Sequence, residues 1–322
     1  MKTPYDVDIK SWEHLAHELF FESWDPVIHR HRSAYIFRGV SGTGYDLQTS
    51  LQRHLVDMAV LERLPYRISL SLHEHAILRN FRKYAHRDAS PGDSDWNWLS
   101  VAQHHGLPTR LLDWTFSPYV AVFFATDEAD KFGLDGAVWC VHTGVVRDNM
   151  PRQCLDLLRA EHAWLFDVRI LDRLAADLQA FDAAFPEPTL VFFEPPSLDD
   201  RIVNQSGMFS VMSSPAGRID YWLNEHPGSF RRLVIPAALK PEVRDKLDMM
   251  NLTERVIYPG LDGLAKWLKR HYSPAAAIKA HTTDAVPTAS DGKAPPPKSS
   301  DTPVRRREAQ RPARQRIRRD PG

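Results

Sequence analysis

One segment, residues 103–115, concentrates side chains that can bind or transform a ligand. It reads Gln-His-His-Gly-Leu-Pro-Thr-Arg-Leu-Leu-Asp-Trp-Thr, so two imidazoles, a guanidinium and a carboxylate fall within one short stretch. Gly106 and Pro108 predict a turn after a helix that ends over residues 98–103, and two leucines then form an apolar ledge. Polar groups on irregular backbone braced by apolar neighbours are typical of binding and catalytic loops. The alternative interpretation is that these groups only satisfy one another and the loop backbone.

Arg38 and Gln205 are polar side chains that the fold can bring to this segment. The aromatic and β-branched run at residues 34–39 predicts a strand that ends at Arg38. Gln205 lies in a Gln-Ser-Gly turn that leads into an apolar strand, where its amide either contacts a ligand or closes the turn. Both side chains are therefore candidates for further walls of a pocket.

Glu74 is a carboxylate that the sequence places toward the interior. A predicted helix over residues 69–84 carries an apolar stripe that ends at Tyr84, and Glu74 falls on the same stripe. An unpaired buried charge is costly, so we expect a cation such as Arg38 or Arg110 beside it. Such a contact is either a catalytic arrangement or a buried ion pair that fixes the helix against the sheet.

The combined polar set fits a phosphorylated ligand. Guanidinium groups pair bidentately with phosphate, imidazole and hydroxyl groups add hydrogen bonds, and a carboxylate stabilises a developing cation or accepts a proton. We assign ligand binding to the cationic, imidazole, hydroxyl and amide side chains: Arg38, His104, His105, Thr109, Arg110, Thr115 and Gln205. We assign catalysis to the two carboxylates, Glu74 and Asp113. The alternative is that the same set forms a structural network.

Other kinds of site have weaker support in the sequence. Close histidine pairs occur at positions 29 and 31, 73 and 75, and 104 and 105, but none has the spacing of a known metal site. We predict no metal. There is no Gly-x-Ser-x-Gly motif, and Cys140 lies within a predicted strand without an activating neighbour. The glycines at 39, 42 and 44 are not followed by the Gly-Lys-Ser/Thr of a phosphate-binding loop.

The charge is distributed unevenly along the chain. The formal net charge is zero, but residues 274–322 contain eleven basic and five acidic residues, with eight prolines and no aromatic residue. Such a segment cannot bury enough apolar surface to fold, so we predict a disordered basic tail. Its arginines are expected either to bind nucleic acid or an acidic partner, in a salt-sensitive and sequence-blind manner, or to act only as a solubilising extension.

The remaining composition favours a cytoplasmic protein. Two cysteines in 322 residues do not make a disulfide framework. The first residues lack a hydrophobic signal segment, and no window approaches the roughly twenty apolar residues of a membrane span. We therefore expect no membrane partner, and the sequence leaves the oligomeric state open.

Short predicted strands and helices alternate irregularly along the chain. Helices are predicted over residues 11–21, 69–84, 117–125, 241–249 and 261–272, and a helical stripe of apolar residues runs over residues 164–181. Strands are predicted over residues 34–38, 136–142, 189–193, 232–236 and 254–258, and a further apolar strand follows the Gln-Ser-Gly turn within residues 201–212. This order, without an internal repeat, predicts an α+β domain whose mixed or antiparallel central sheet has about six strands. The predicted boundaries are 1–29 for a helical lead-in, 30–273 for the domain and 274–322 for the tail.

Five motifs together resemble the FRG domain family, which is named for a Phe-Arg-Gly signature. In chain order they are Phe37-Arg38-Gly39, the helix of Glu74, residues 103–115, the Gln-Ser-Gly-Met-Phe run at 205–209 and the Tyr-Pro-Gly-Leu-Asp-Gly run at 258–263. The resemblance covers about residues 30–272. One departure is Gly260, where the family pattern usually carries Asp. The family is bacterial and phage-associated, and the resemblance implies a fold without a settled activity.

A looser resemblance connects the aromatic-Arg-Gly strand to the start of mono-ADP-ribosyltransferase folds. It implies an arginine that holds NAD and a later carboxylate that assists the departure of nicotinamide, although the sequence lacks the expected Ser-Thr-Ser and Glu-x-Glu elements. We therefore predict a pocket for a nucleotide or NAD-like ligand, ADP-ribosyltransferase-like or NAD-cleaving, with NAD as the candidate substrate and no certain cofactor. The alternative is a non-catalytic interaction module in phage defence or stress response.

Overall fold

The computed structural model describes residues 4–57, 69–86, 89 and 92–273. The strands within these residues are β1 (Asp6–Asp8), β2 (Trp24–Asp25), β3 (Arg30–His31), β4 (Tyr35–Val40), β5 (Leu112–Thr115), β6 (Gly136–His142), β7 (Phe166–Asp167), β8 (Leu190–Glu194), β9 (Gly207–Met212) and β10 (Phe230–Ile235). The α-helices are α1 (Trp12–Leu19), α2 (Ser50–Asp57), α3 (Leu70–Ala85), α4 (Asp95–His104), α5 (Pro118–Thr126), α6 (Thr143–Asp148), α7 (Arg152–Ala160), α8 (Val168–Leu174), α9 (Leu178–Ala183), α10 (Asp200–Asn204), α11 (Ile219–Glu225), α12 (Lys240–Met249), α13 (Glu254–Ile257) and α14 (Leu261–His271). The predicted tail lies outside the described residues.

Eight strands form one mixed sheet in the order β1-β10-β6-β4-β5-β9-β8-β7. The two edge pairs, β1 with β10 and β7 with β8, are parallel, and the internal pairs are antiparallel. Strands β2 and β3 pair separately as an antiparallel ribbon. The predicted α+β class with a mixed central sheet is confirmed. The predicted count of about six strands is too low, because β1, β5 and β7 are only two to four residues long and are too short to give an alternating pattern.

The predicted strand over residues 254–258 is wrong, because this segment forms the short helix α13. Its Arg-Val-Ile run is apolar and β-branched, but a run of this length does not distinguish a strand from a buried helical turn. Tertiary contacts of Glu254 favour the helix. Glu254 is buried and accepts hydrogen bonds from Arg244 at 2.9 Å and from Arg270 at 2.5 Å. These contacts hold α13 between α12 and α14.

The apolar stripe over residues 164–181 does not form a continuous helix. Asp167 and Asp177 each cap the N-terminus of a separate helix, α8 and α9, with their side chains accepting backbone N–H groups at 2.7 Å. A short polar side chain that bonds its own backbone favours such a break. The stripe predicted on α3 is also shorter than expected, because Tyr84 is exposed while Glu74 and Leu78 are buried.

Apolar side chains pack on both faces of the sheet. Successive residues of β6 alternate between the two core clusters, with Val138 and Cys140 on one face and Trp139 and Val141 on the other. Cys140 and Cys154 are buried free thiols, and burial raises the pKa of each to about 12. Among the described residues, no helix combines the length and apolar content needed to cross a bilayer.

Candidate functional site

The central sheet opens between β4 and β5. These neighbouring strands pair at Phe37 and Thr115 alone, and beyond this pair Arg38 Nη1 donates a hydrogen bond to the backbone oxygen of Asp113 at 2.5 Å. The Arg38 side chain thus takes the place of the backbone N–H that would donate the next hydrogen bond between β4 and β5. Gly39 lets α5 approach β4 so closely that there is no room for a side chain there. The separated strands leave space for a cavity.

A cavity of about 250 Å³ lies against this opening. It is lined by β4, the end of α4, β5, α5, α10 and β9, through residues Phe37, Arg38, Gly39, Gln103, His104, Asp113, Trp114, Thr115, Phe124, Pro195, Arg201, Ile202, Gln205, Gly207, Met208 and Phe209. The cavity therefore combines two guanidinium groups, an imidazole and a carboxylate with aromatic and aliphatic walls, as small-molecule sites do.

Arg38 is the cation that closes the gap between the strands. Its Nε is buried and has no hydrogen-bond partner among the described residues, and its Nη1 lies 3.8 Å from the Asp113 carboxylate. Burial lowers the pKa of Arg38; the negative Asp113 partly opposes this shift and the positive Arg53 adds to it. The guanidinium thus retains hydrogen-bonding capacity and an incompletely balanced charge.

Arg201 is a second guanidinium on the cavity wall, carried by α10. Within the described part of the chain its side chain makes no hydrogen bond and no ion pair, and its guanidinium carbon lies 5.6 Å from the centre of the Tyr258 ring. Its positive charge also acts to lower the pKa of His104. Arg201 is therefore available to an anion in the cavity.

Gln103 positions the exposed carboxylate of Asp113. Its side-chain amide donates from Nε2 to Asp113 Oδ2 at 3.0 Å and accepts from Thr109 Oγ1 at 2.5 Å. One glutamine therefore joins the end of α4, the turn and β5. Asp113 keeps 61 % of its side chain exposed, so that its carboxylate remains accessible.

His104 is held in the cavity wall by Asp199. The imidazole Nε2 lies 2.8 Å from Asp199 Oδ2, and 12 % of the His104 side chain is exposed. Burial lowers the pKa of His104 from its ordinary value of 6.5, the nearby Asp199 carboxylate opposes this shift and Arg201 reinforces it. The imidazole is therefore neutral at pH 7, with Nε2–H donated to Asp199 and Nδ1 left as an acceptor. His105 is exposed and contacts the His104 ring from outside the cavity.

The titration of His104 gives a measurable consequence. Because its pKa is lower in the folded chain than in the unfolded chain, the unfolded chain binds this proton first as the pH falls. His104 should therefore contribute a loss of stability as the pH falls below about 6.5. Asp199→Asn should lower the pKa of His104 further, because it removes the carboxylate that raises it. Histidine NMR titration of both proteins measures this shift, and an unchanged or raised pKa in the variant would contradict the assignment.

Glu74 and Arg110 lie outside the cavity and form a buried network. Arg110 Nε and backbone N–H donate to the Glu74 carboxylate at 2.7 and 3.1 Å, and its Nη atoms bind Asp182 in a fork. Burial acts to lower the pKa of Arg110, but Glu74 and Asp182 raise it above the ordinary value. Arg110 and Glu74 are each 1 % exposed. The cation expected beside Glu74 is Arg110. Arg110 pairs with Glu74 and Asp182, so both Glu74 and Arg110 have charged partners without a ligand.

Three further residues predicted to bind a ligand already make hydrogen bonds within the chain. Thr109 is fully buried and binds Gln103, Ser50 and the backbone of the turn. Thr115 Oγ1 donates to the backbone oxygen of Gln205 at 2.6 Å. Gln205 Nε2 donates to the backbone oxygen of Ile257 at 3.0 Å, which ties α10 to α13. Thr115 and Gln205 still line the cavity, whereas Thr109 does not.

The structure thus brings together five of the nine predicted site residues. Those that line the cavity are Arg38, His104, Asp113, Thr115 and Gln205. Those that do not line it are Glu74, His105, Thr109 and Arg110. Sequence reasoning missed Gln103, Asp199 and Arg201. In the sequence, the Asp-Asp-Arg run at 199–201 indicated only the N-terminus of a helix. Asp199 does cap α10.

Comparison with known proteins agrees with the first three motifs of the resemblance, while the runs at 205–209 and 258–263 lie outside the match. The family model described as FRG domain matches residues 33–133, a segment that contains β4, α4, β5 and α5. No curated protein and no solved structure matches the chain. Within the described ranges, no group of three or more His, Cys, Asp or Glu side chains is arranged to hold a metal ion. Four of the six elements that line the cavity fall inside the matched segment, so most of the cavity wall belongs to the FRG domain at residues 33–133.

Proposed function

We propose that the cavity binds a small phosphorylated ligand of the nucleotide class, with its phosphate held between Arg38 and Arg201. The main support for this proposal is that two guanidinium groups, Arg38 and Arg201, line the cavity, whereas Asp113 is the one carboxylate among the described residues of its lining. Arg38 Nε has no acceptor, and Arg201 has no ion-pair partner among the described residues. Planar guanidinium donors suit phosphate oxygens, and an anion would offset the charge that burial leaves unbalanced.

The apolar wall supports a ligand that also carries a ring. Phe124, Met208 and Phe209 face the cavity beside the arginines, and they offer the flat, weakly polar surface against which a base or a nicotinamide packs. A volume of about 250 Å³ lies just below the roughly 300–1,000 Å³ range of ligand sites. The cavity therefore fits a mononucleotide, or one half of NAD.

We further propose that NAD is a substrate and that Asp113 and His104 assist its cleavage. In this reaction the bond between ribose and nicotinamide breaks, and its electron pair leaves on the nicotinamide nitrogen. Asp113 would stabilise the positive charge that develops on the ribose. A water molecule would attack the same carbon and give its proton to His104 Nδ1, while Asp199 holds the opposite nitrogen. Glu74 and Arg110 take no part, because they pair with each other away from the cavity.

Calorimetric titration with AMP and NAD tests binding, and nicotinamide release tests cleavage. Arg201→Gln should weaken both ligands by about tenfold to hundredfold, since a hydrogen bond to a charged group contributes roughly 1.5–3 kcal/mol. Asp113→Asn should bind NAD but release no nicotinamide. The matched control is Arg152→Gln, which removes an exposed arginine that lines no described cavity. A wild-type protein that binds neither AMP nor NAD at millimolar concentration would overturn the proposal.

A non-catalytic interaction module is the second candidate function. It is favoured by the number of signature side chains that already bond within the chain, above all Arg110, Thr109 and Gln205. In such a module, in phage defence or stress response, the polar cluster would serve the fold alone. Neither Arg201→Gln nor Asp113→Asn would then change the binding of AMP or NAD, and Asp113→Asn would lower thermal stability because it removes the carboxylate that Gln103 and Arg38 contact.

A further inference from the structure

A second cavity is also lined by Arg38. It has a volume of about 470 Å³ and is formed by β4, the segment that leads to α2, and the turn after α5. Its lining residues are Arg38, Val40, Ser41, Gly44, Tyr45, Asp46, Gln48, Arg53, Glu128 and Lys131. Arg38 thus contributes to the walls of both cavities.

Arg53 adds an unbalanced positive charge to this second cavity. Its Nη1 donates to the backbone oxygen of Gln48 at 2.5 Å, and no carboxylate of the described residues pairs with it. Arg53 is close enough to Arg38 that its charge adds to the effect of burial in lowering the pKa of Arg38. Two guanidinium groups held near each other repel, and a shared anion would relieve that repulsion.

The acidic side chains of the second cavity are already paired. Glu128 accepts from Ser41 Oγ at 2.6 Å and lies 2.5 Å from Lys131 Nζ. Asp46 Oδ2 lies 3.1 Å from Arg218 Nη2. Neither carboxylate neutralises Arg38 or Arg53. The cavity therefore offers positive charge to a ligand, together with the exposed ring of Tyr45 as a stacking surface.

We propose that the second cavity is a subsite for a further phosphate of the same ligand, which passes Arg38 and reaches Arg53. This inference rests on the proposed function of the first cavity and narrows its substrate class. The preferred ligand is then a nucleoside diphosphate or a dinucleotide rather than a nucleoside monophosphate. Arg38 contacts the ligand between its two anionic groups, and Arg53 determines the preference for the longer ligand.

Calorimetric titration of the full chain with AMP, ADP and NAD tests this assignment. The wild type should bind ADP and NAD at least about tenfold more tightly than AMP, the gain expected from one additional charge-assisted contact. Arg53→Gln should remove that preference and leave the Kd for AMP unchanged. Arg201→Gln should weaken AMP, ADP and NAD by the same factor, because it acts in the first cavity. Arg152→Gln is the charge-matched control, and thermal melting confirms that each variant is folded.

Three outcomes separate failure of the subsite from failure of the proposed function. If AMP binds through Arg201 but ADP and NAD bind no more tightly, the first cavity is retained and the subsite is refuted. The same holds if Arg53→Gln weakens AMP as much as ADP, because the effect is then one of general charge. If no nucleotide binds the wild type, the proposed function and the subsite are both refuted.

Discussion

Replacing Arg110 by Met is expected to lower the free energy of unfolding by about 3–5 kcal/mol, the usual cost of removing one partner from a buried ion pair. Arg110 is 1 % exposed and donates to two carboxylates, Glu74 on α3 and Asp182 on α9. Methionine fills much of the same volume but leaves Glu74 buried without a cation. Because these contacts join β5 to two distant helices, their loss should weaken the whole domain. Urea unfolding monitored by circular dichroism measures the change.

Arg159→Met is the matched control for this prediction. Arg159 and Asp156 form an ion pair in which both side chains are 68 % exposed, and exposed pairs contribute roughly 0–1 kcal/mol. Glu74→Gln adds a second comparison, since it removes the charge while keeping the shape. A loss below about 1 kcal/mol for Arg110→Met would show that the network does not hold the fold together.

Gly39→Ala is expected to destabilise the domain by at least about 3 kcal/mol, at or above the upper end of the usual cost of overpacking. A methyl group at this position would lie 1.8 Å from the backbone oxygen of Ala121 and 2.6 Å from the backbone nitrogen of Ala125. Both atoms belong to the backbone of α5, which cannot move away without leaving the sheet. The third residue of the Phe-Arg-Gly signature is therefore explained by the packing of α5 on β4. Denaturant unfolding of the purified variant, or its failure to fold, measures the effect.

Gly44→Ala provides a control within the same part of the chain. A methyl group at Gly44 meets no atom within 4 Å, and substitutions at such open positions usually change stability by about 0.5 kcal/mol or less. If Gly39→Ala is tolerated as well as Gly44→Ala, α5 does not pack against β4 in the way described.

Local patterns in the sequence were sufficient where one helix or turn decides the outcome. The helical spacing around Glu74 placed its carboxylate inside, and the helices predicted at residues 11–21 and 117–125 form, with Ser11 and Ser117 capping α1 and α5. Residues 254–258 show the opposite case. Their strand-like composition was overridden by the tertiary contacts of Glu254 with Arg244 and Arg270, and such contacts are not visible in a local window.

The candidate site was only partly predictable because long-range contacts decide which polar groups remain available. Arg110 and Asp113 are three residues apart in the sequence. Arg110 nevertheless pairs with Asp182, 72 residues away, whereas Asp113 stays exposed. His104 acquires Asp199 from α10 in the same way. The sequence identified the segment that carries these side chains. It did not distinguish those that hold the segment in place from those that face the cavity.

These two roles, holding the segment in place and facing the cavity, explain why residues 103–115 contain so many polar and charged side chains. Gln103, Thr109 and Arg110 bond mainly within the chain and fix the turn between α4 and β5. His104 and Asp113 are thereby presented at the cavity in defined positions. The arrangement has the form of a preorganised site, in which internal hydrogen bonds hold the groups that meet the ligand.

A crystal structure of the full chain soaked with ADP is the direct test of nucleotide binding in this cavity. We expect one phosphate within hydrogen-bond distance of both Arg38 and Arg201, with the base against Phe124 and Met208. Density for ADP at another surface, or an empty cavity at millimolar ADP, would contradict the assignment of this cavity as a nucleotide site.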